Sequence, residues 1–186
     1  MIFRETTLPG AFLVEPTPIH DERGFFARTW CEAEASAHGL DPRVVQCSVS
    51  YNRHRGTLRG LHFQAGPHAE AKLVRVTRGA VFDVIVDLRP GAATFAQHVA
   101  VELSAGNRTM LFVPAGFAHG FQTLEDDTEV FYQMSTAYHP ASARGLVWDD
   151  PQLAIAWPAV ADRIVSERDR ALPSLADLVA EGGLGG

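Results

Sequence analysis

The chain has 186 residues, of which 46% are hydrophobic and 20% charged, so we expect one folded domain over residues 1–186 rather than a disordered or collagen-like chain. A formal net charge of -6 at pH 7 argues against general binding to nucleic acid or anionic membranes, and no apolar run is long enough to span a bilayer. Two cysteines, Cys31 and Cys47, exclude a disulfide scaffold, and with no signal-peptide pattern at the start they lead us to expect a cytoplasmic location.

The first predicted element is a short helix near residue 30. Thr29 and Glu32 have the spacing of a capping box, in which each side chain bonds the other residue's backbone N–H group. Gly39 stands where a glycine typically ends a helix. The pattern therefore predicts a helix that begins at Thr29 and ends before Gly39.

Short β-strands fill the middle of the chain. Eight segments are rich in β-branched and aromatic residues and are separated by Gly, Pro, Asn and Asp. They are 44–51, 57–64, 72–78, 80–88, 97–103, 109–113, 119–124 and 128–135. Segment 80–88 alternates, so one face would carry Phe82, Val84, Val86 and Leu88, and the other Val81, Asp83 and Ile85. Many short strands at regular spacing predict an antiparallel sandwich or barrel.

The C-terminal region predicts one more helix. Ser174 and Asp177 mark its start. Its inward-facing residues would be Leu175, Leu178 and Val179. The glycine-rich tail, residues 182–186, is expected to fray. The chain is therefore predicted to be mainly β, with two or three short peripheral helices.

Positive charge is concentrated in one stretch of this acidic chain. Between Arg53 and Arg78 six basic residues stand against one acid, Glu70, which suits a small anionic ligand better than a polyanion, with a solvated strand face as the alternative. The chain has fifteen arginines but one lysine, Lys72, which lies in this stretch. An amine differs from a guanidinium because burial can tune its pKa, so Lys72 is a candidate functional residue.

The segment Pro114-Ala-Gly-Phe-Ala-His119 resembles the second conserved motif of the cupin superfamily. Metal-binding cupins carry a first motif of two histidines around one residue, followed by a glutamate; here that place reads His62-Phe-Gln64, with Glu70 further on. An amide is a poor ligand for divalent transition metals. We therefore expect an imidazole-lined cavity without a metal. A metal-dependent cupin dioxygenase or isomerase stays open as an alternative, because two histidines and a carboxylate could hold iron.

Several motifs in order resemble the dTDP-4-dehydrorhamnose 3,5-epimerase family, nucleotide-sugar epimerases of the cupin superfamily. They are the segments 21–26, 55–64, 72–76, 116–121, 129–132, 148–151, 156–158 and 166–169. The resemblance covers about residues 1–175 and implies an antiparallel jelly-roll barrel that works without a cofactor. It implies epimerisation at C3, C5 or both of a nucleotide-diphosphate-linked 4-keto-6-deoxyhexose. A 3,4-ketoisomerase on the same scaffold and a catalytically inactive sugar-nucleotide binding module are the further alternatives.

The chemistry of a 4-keto sugar defines the catalytic groups. Its C3 and C5 hydrogens are acidic, so inversion needs a base on one face, an acid on the other and a positive group at the enolate oxygen. His62 is our candidate base, Tyr132 the acid and Lys72 the enolate-stabilising cation. By resemblance, Asp169 holds the second nitrogen of His62. Each could instead be a structural residue, such as a core histidine or a lysine at a strand end.

The resemblance also implies a set of substrate-binding residues. Arg23 and Arg59 would bind the diphosphate with a contribution from Arg168. Phe26 would pack on the base or sugar, and His119 would bind the sugar. In the family the N-terminal segment crosses to the neighbouring subunit, which implies a homodimer with shared sites.

Four positions depart from the family pattern. Arg28 replaces a glutamate that reads the nucleotide, and Ala143 replaces a later glutamate that contacts substrate. The family's Gln-Asp-Asn triplet reads Gln46-Cys-Ser48 here. Because a guanidinium cannot accept a hydrogen bond from a base N–H group, we expect an altered nucleotide, such as CDP or GDP, or a different mode of binding dTDP.

Overall fold

The structure, a computed structural model, describes residues 1–184. Within that range fourteen short strands and three short helices follow one another. The strands are β1 (Ile2–Glu5), β2 (Phe12–Glu15), β3 (Ile19–Asp21), β4 (Gly24–Phe26), β5 (Gln46–Asn52), β6 (Thr57–Gln64), β7 (Lys72–Arg78), β8 (Ala80–Asp87), β9 (His98–Ser104), β10 (Met110–Val113), β11 (Phe117–Thr123), β12 (Thr128–Met134), β13 (Ala143–Gly145) and β14 (Ile164–Val165). The helices are α1 (Glu32–Ala37), α2 (Glu167–Arg170) and α3 (Leu175–Ala180).

The strands form two large sheets and one separate hairpin. The first sheet has the order β1-β2-β10-β7-β12-β5, and the second has the order β13-β6-β11-β8-β9. Neighbouring strands in both orders are antiparallel, while β14 adds a short parallel pairing to β6. Strands β3 and β4 pair only with each other. The predicted mainly β, antiparallel barrel with peripheral helices is confirmed.

The eight strands predicted from the sequence are all present. Segments 57–64 and 72–78 match β6 and β7 at both ends, and the other six shift at their boundaries by one or two residues. Strands β1 to β4, β13 and β14 were not predicted, since each has four residues or fewer. Short strands of this kind owe their extended conformation to the strand beside them rather than to their own residues.

Residue alternation on β8 separates two of the hydrophobic clusters. Val81 and Ile85 belong to the cluster between the two sheets, whereas Val84 and Val86 belong to a cluster on the outer face of the second sheet. The predicted alternation of segment 80–88 is therefore confirmed. Burying one such aliphatic side chain contributes about 1.5–3 kcal/mol, so the register of β8 is strongly fixed.

The first helix differs from its predicted start. Helix α1 begins after Cys31, whose side chain makes no capping hydrogen bond, so the predicted Thr29 capping box is wrong. Trp30 packs against the cluster on the outer face of the first sheet, which ties the chain there before the helix begins. The predicted glycine after the helix is confirmed, because Gly39 has a φ of +71° and its N–H donates to Ser36.

The C-terminal helix has its predicted cap. The Ser174 hydroxyl accepts a hydrogen bond from the Asp177 N–H group. Leu175 and Leu178 are buried as predicted, but Val179 is 48% exposed, so its predicted inward position is wrong. The Gly183 N–H group donates to the Leu178 carbonyl oxygen at the end of this helix. The last two glycines of the predicted frayed tail, residues 185 and 186, lie outside the described residues.

Two glycines let β6 and β11 approach closely. A Cβ atom on Gly60 would lie 2.6 Å from the Gly120 Cα atom, and one on Gly120 would lie 2.7 Å from the Arg59 carbonyl oxygen. The β6–β11 register shifts between His119 and Phe121 at this point. Glycine is therefore required on both strands where the two backbones meet.

Candidate active site

A cavity of about 570 Å³ lies between the two sheets. Strands β5, β7 and β12 of the first sheet and β6 and β11 of the second supply most of its wall. Nine of the residues that the sequence singled out line it: Gln46, Ser48, Arg59, His62, Lys72, His119, Tyr132, Arg168 and Asp169. The barrel thus brings together residues more than a hundred positions apart in the chain.

His62 and Asp169 form a hydrogen-bonded pair in the cavity wall. The Nε2 atom of His62 lies 2.7 Å from the Oδ1 atom of Asp169, and the Gly60 N–H group donates to the other carboxylate oxygen at 3.2 Å. Helix α2 fixes Asp169, whose N–H group donates to the Ser166 hydroxyl. Burial raises the pKa of Asp169, but its hydrogen bonds with His62 and Gly60 and the charge of Arg168 hold that pKa below its ordinary value. The carboxylate is ionised at neutral pH and can stabilise a protonated imidazole.

A second imidazole–carboxylate pair lies beside the first. The Nε2 atom of His119 lies 2.9 and 3.0 Å from the two carboxylate oxygens of Asp83, which is fully buried. His119 stands opposite His62 in the β6–β11 ladder. The turn before β11 contains Gly116 with a φ of +85°, as its motif predicts. The register of one strand pair therefore places two imidazoles on the same cavity.

The Tyr132 phenol projects from β12 on the opposite sheet. Its ring centroid lies 6.0 Å from that of His119, edge to face. The phenol is only partly exposed to the cavity, and the protein packed around it raises the pKa of Tyr132 above its usual range. The carboxylate of Asp83 acts in the same direction, whereas Arg59 and the Ser50 hydroxyl act in the other. The phenol therefore keeps its proton at neutral pH and can act as a proton donor.

Lys72 presents the amine of the chain's one lysine to the cavity. Its Nζ atom lies 3.0 Å from the Glu70 Oε1 atom and 3.5 Å from the His62 carbonyl oxygen. The Lys72 and Glu70 side chains are 13% and 9% exposed. Of the basic stretch 53–78, Lys72 and Arg59 line the cavity, so those two carry its predicted role in anion binding.

The remaining predicted residues form the polar rim. The Arg59 Nε atom donates to the buried Asn52 side chain at 2.7 Å, which holds the guanidinium by one edge. The Gln46 amide donates to the Ser48 hydroxyl at 3.4 Å and accepts from the Tyr138 N–H group at 3.0 Å. Taken together, the cavity offers a base held by a carboxylate, a protonated phenol, an ammonium and guanidinium groups.

Known proteins of one family match this chain over most of its length. The family model described as dTDP-4-dehydrorhamnose 3,5-epimerase matches residues 5–177. The chain belongs to this family. The enzyme is 47% identical over 170 residues to the dTDP-4-dehydrorhamnose 3,5-epimerase of Methanothermobacter thermautotrophicus, covering 90% of this chain and 91% of that one. The sequence prediction of a nucleotide-sugar epimerase family, and hence of an isomerase, is confirmed.

Two solved structures show the same fold. The Bacillus anthracis dTDP-4-dehydrorhamnose 3,5-epimerase with TDP and PPi bound has a TM-score of 0.90 to the enzyme at 44% identity, covering 94% of this chain and 99% of that chain. A 3'-monoepimerase from Streptomyces bikiniensis in complex with dTDP-quinovose has a TM-score of 0.89 at 35% identity, covering 97% and 91%. The barrel is therefore shared by epimerases described as acting at two centres and at one.

Two predicted binding residues lie away from the cavity of their own chain. Arg23 and Phe26 belong to the β3–β4 hairpin, where the Arg23 side chain is 84% exposed and Phe26 is 75% exposed. Arg23 forms an ion pair with Asp21 on the same hairpin. The structure does not bring either residue to the nine that share the cavity.

From the sequence, Asp83, Ser50 and Tyr138 had no predicted role in the site, and Glu70 had only a possible role as a metal ligand. The alternation of segment 80–88 puts Asp83 on one strand face with Val81 and Ile85. A carboxylate between two apolar residues was the signal that could have marked it as part of the site. Glu70 stands two residues before Lys72, which puts both side chains on one side of an extended chain. The Ser50 hydroxyl is buried in the wall without a hydrogen-bond partner among residues 1–184. Tyr138 is 55% exposed at the cavity, and no sequence signal marked it.

The residues considered as metal ligands form hydrogen bonds or ion pairs with other residues. The Gln64 amide donates to the backbone of His68 and Ala137 and accepts from the His139 N–H group. Glu70 binds Lys72. Across residues 1–184, no group of three or more His, Cys, Asp and Glu side chains is arranged to hold a metal ion. In the same range, no helix combines the length and apolar character needed to cross a membrane.

Proposed function

We propose that the enzyme inverts C3, C5 or both of a nucleotide-diphosphate-linked 4-keto-6-deoxyhexose through an enolate. The observation that carries this proposal is the Asp169–His62 pair and the Tyr132 phenol, which line the same cavity from opposite sheets. The related structures hold TDP with PPi in one case and dTDP-quinovose in the other, which supports a nucleotide sugar as the ligand.

The proton inventory of the reaction balances over these groups and solvent. His62 takes the hydrogen from the carbon next to the ketone, and the electron pair moves to the carbonyl oxygen. Asp169 stabilises the imidazolium that results. Lys72 stabilises the enolate oxygen, a kind of contact worth roughly 3 kcal/mol. Tyr132 then delivers a proton to the opposite face of the carbon, His62 releases its proton to solvent and the Tyr132 phenolate takes one back, so that only the configuration of the sugar has changed.

We propose that the ligand's diphosphate binds at the arginine end of the cavity. Arg59 and Arg168 line it, and guanidinium groups pair well with phosphate oxygens. The sugar would lie deeper, next to His119. Gln46 and Ser48 on β5, and the exposed ring of Tyr138, are available to the nucleotide, since a planar base can stack on an aromatic side chain.

A homodimer completes this proposal, with the β3–β4 hairpin of one subunit entering the other subunit's site. The hairpin is exposed, so Arg23 and Phe26 have free surface for a partner. The outer face of the edge strand β5 exposes Val49 and Tyr51 as well, and an apolar strip of this kind suits a subunit interface. A second copy would thus add a further guanidinium and a further aromatic ring to the cavity.

We propose that the enzyme takes a nucleotide other than dTDP, or that it binds dTDP in a different mode. Arg28 forms an ion pair with Glu34 and lies outside the cavity, so it cannot replace an acceptor carboxylate. Ala143 lines the cavity and offers neither a donor nor an acceptor from its side chain. The sequence departures therefore remove two carboxylates from nucleotide recognition while the catalytic groups remain.

We propose a cytoplasmic location for the enzyme. Its two cysteines, Cys31 and Cys47, both lie within the described residues and are free thiols. Unpaired thiols, one of them exposed, suit a reducing compartment.

The proposal is tested by incubating the enzyme with 4-keto-6-deoxy sugar nucleotides in D2O and following C3 and C5 by NMR. We expect solvent deuterium at each inverted carbon, so the spectra also distinguish inversion at one centre from inversion at two. Substituting His62→Ala should lower exchange at both carbons by about a thousandfold while leaving nucleotide binding almost unchanged, because a general base is worth about 10²–10⁴ in rate. His54→Ala, which removes an exposed imidazole outside the cavity, is the matched control. Normal turnover with weakened binding in His62→Ala, or activity that chelators abolish, would contradict the proposal.

A second variant separates the acid from the base. Tyr132→Phe should still lose the C–H hydrogen to solvent but should invert the carbon about a hundredfold more slowly, because the proton for the opposite face is missing. NMR measures both rates in one sample. Unchanged inversion would remove Tyr132 from its proposed role.

A further inference from the structure

We propose that Glu70 is a positioning residue that holds the Lys72 ammonium in place for the enolate oxygen. This inference rests on the proposed function, since it concerns the role of Lys72 in that reaction. It starts from the contact between the Glu70 Oε1 atom and the Lys72 Nζ atom at 3.0 Å. Both side chains line the cavity and both are largely buried, so the pair is not a solvent-exposed ion pair of small energetic effect.

The backbone places Glu70 for this contact. Lys72 begins β7 and Glu70 stands two residues before it, so in an extended chain the two side chains leave on the same side. Ala71 between them is 4% exposed and packs in the cluster on the other face of the sheet. The Ala71 N–H group donates to the Ser135 hydroxyl, and the Ser135 N–H group donates to the Ala71 carbonyl, both at 2.9 Å. This two-bond clamp fixes the segment that carries the pair.

The ammonium needs such a partner because its stem is flexible. A lysine side chain has many accessible rotamers, and an ammonium has three N–H donors. Among residues 1–184 the Lys72 ammonium has two polar contacts, the Glu70 carboxylate and the His62 carbonyl oxygen. The second is a long hydrogen bond of 3.5 Å. Glu70 therefore supplies the short contact that selects one rotamer, and one donor is left for an oxygen of the substrate.

The contact with the His62 carbonyl links the cation to the base. Lys72 lies against the backbone of the residue that removes the proton. Catalysis falls steeply when a group is misplaced by about 1 Å, so the cation must keep its distance from the reacting carbon. Loss of Glu70 would leave the charge of Lys72 intact but its position undefined. The effect should appear in the rate of exchange rather than in the affinity for substrate.

The test is a double-mutant cycle of Glu70→Ala and Lys72→Met, with deuterium exchange measured by NMR on the full-length enzyme. We expect Lys72→Met to lower kcat by about a hundredfold. Glu70→Ala should lower kcat about tenfold in the wild-type background with KM within about twofold, and should cost less than about twofold more when Lys72 is already Met. Glu70→Gln keeps an acceptor oxygen, so it should recover most of the loss. Glu102→Ala on β9, an exposed glutamate outside the cavity, is the matched control.

The possible outcomes separate the inference from the proposed function. If Lys72→Met lowers kcat but Glu70→Ala does not, Glu70 has no positioning role and the inference is wrong, while the proposed function stands. An equal loss from Glu70→Ala in both backgrounds, or a change confined to KM, would mean that Glu70 contacts substrate directly and would also overturn it. If Lys72→Met exchanges hydrogen normally, the proposed enolate contact itself fails. Should Glu70→Ala not fold, Glu70→Gln replaces it in the cycle, with a loss of about threefold expected in the wild-type background and none beyond Lys72→Met.

Discussion

The family resemblance assigns two sets of residues to one site, of which one set lies in the cavity and the other on the β3–β4 hairpin. The two regions differ in the exposure of their side chains and in the contacts that hold them. His62 and Asp169 in the cavity are held by hydrogen bonds at fixed distances. On the hairpin, Arg23 and Phe26 project into solvent, and the two strands pair only with each other. Strands of this one chain enclose the barrel interior, whereas the hairpin side chains lie exposed outside it.

This difference teaches where the rigidity of the site comes from. Strands inside the barrel have neighbours on both sides, so side-chain positions follow from register. A two-stranded hairpin on its own is marginally stable in water. We infer that the chemical groups are preorganised in each subunit and that part of the binding surface becomes ordered on association.

After His62→Ala, the largest effect in the cavity is expected from Asp169→Asn. The amide cannot stabilise an imidazolium, so exchange at both carbons should fall by about a hundredfold or more. Because the native carboxyl has a pKa below its ordinary value, the wild-type enzyme should not lose activity through Asp169 until the pH falls below about 4. Rate measurements by NMR between pH 4 and pH 9 check both statements. Asp149→Asn, at an exposed carboxylate outside the cavity, should match wild type, and an active Asp169→Asn would show that the pair is structural.

Mixing two variant subunits should have a smaller effect. It tests the comparison between the cavity and the hairpin more directly. Arg23→Ala should weaken substrate binding, while His62→Ala removes the base. If the hairpin acts in the partner's site, co-expressing both variants should recover about a quarter of wild-type activity, since random pairing makes half of the dimers mixed and each mixed dimer has one intact site. A preparation that stays inactive would mean that the hairpin works within its own chain, and the two regions would then need to meet by a change of conformation.

The smallest effect is expected in the choice of nucleotide. With Arg28 outside the cavity and Ala143 in its wall, dTDP should bind less than about tenfold more tightly than UDP, CDP or GDP, since one hydrogen bond to a charged acceptor is worth about 1.5–3 kcal/mol. Isothermal titration calorimetry of the four nucleotides measures this. A strong preference for dTDP would show that the departures from the family pattern leave its recognition intact.

The sequence predicts the barrel strands well because turn residues and alternation mark them. Strand β8 shows this, since its two faces divide between two hydrophobic clusters as its alternation indicates. The strands of the first 26 residues escape prediction because they are short and take their extended conformation from a paired strand, as when β2 joins β10. The Thr29 capping pattern also misleads, since Trp30 packs before the helix can begin.

The sequence predicts the site residues that stand in a recognisable motif. It does not predict residues that belong to the site only through a contact formed in the folded chain. His62, Lys72 and Tyr132 stand in recognisable segments, and the cavity holds all three. Asp83 gains its place from the pairing of β8 with β11, which brings it to His119 across the sheet. Such pairs depend on register between distant segments, so one sequence read from end to end does not reveal them.

The close approach of Gly60 and Gly120 has a consequence for how this site can change. The two imidazoles are neighbours of these glycines on facing strands, so their spacing is set by main-chain contact rather than by surrounding side chains. Exchanging residues on β5 or at the rim can therefore redirect the pocket toward another sugar or base without disturbing that spacing. Any side chain introduced at either glycine would push the backbones apart and displace both histidines together.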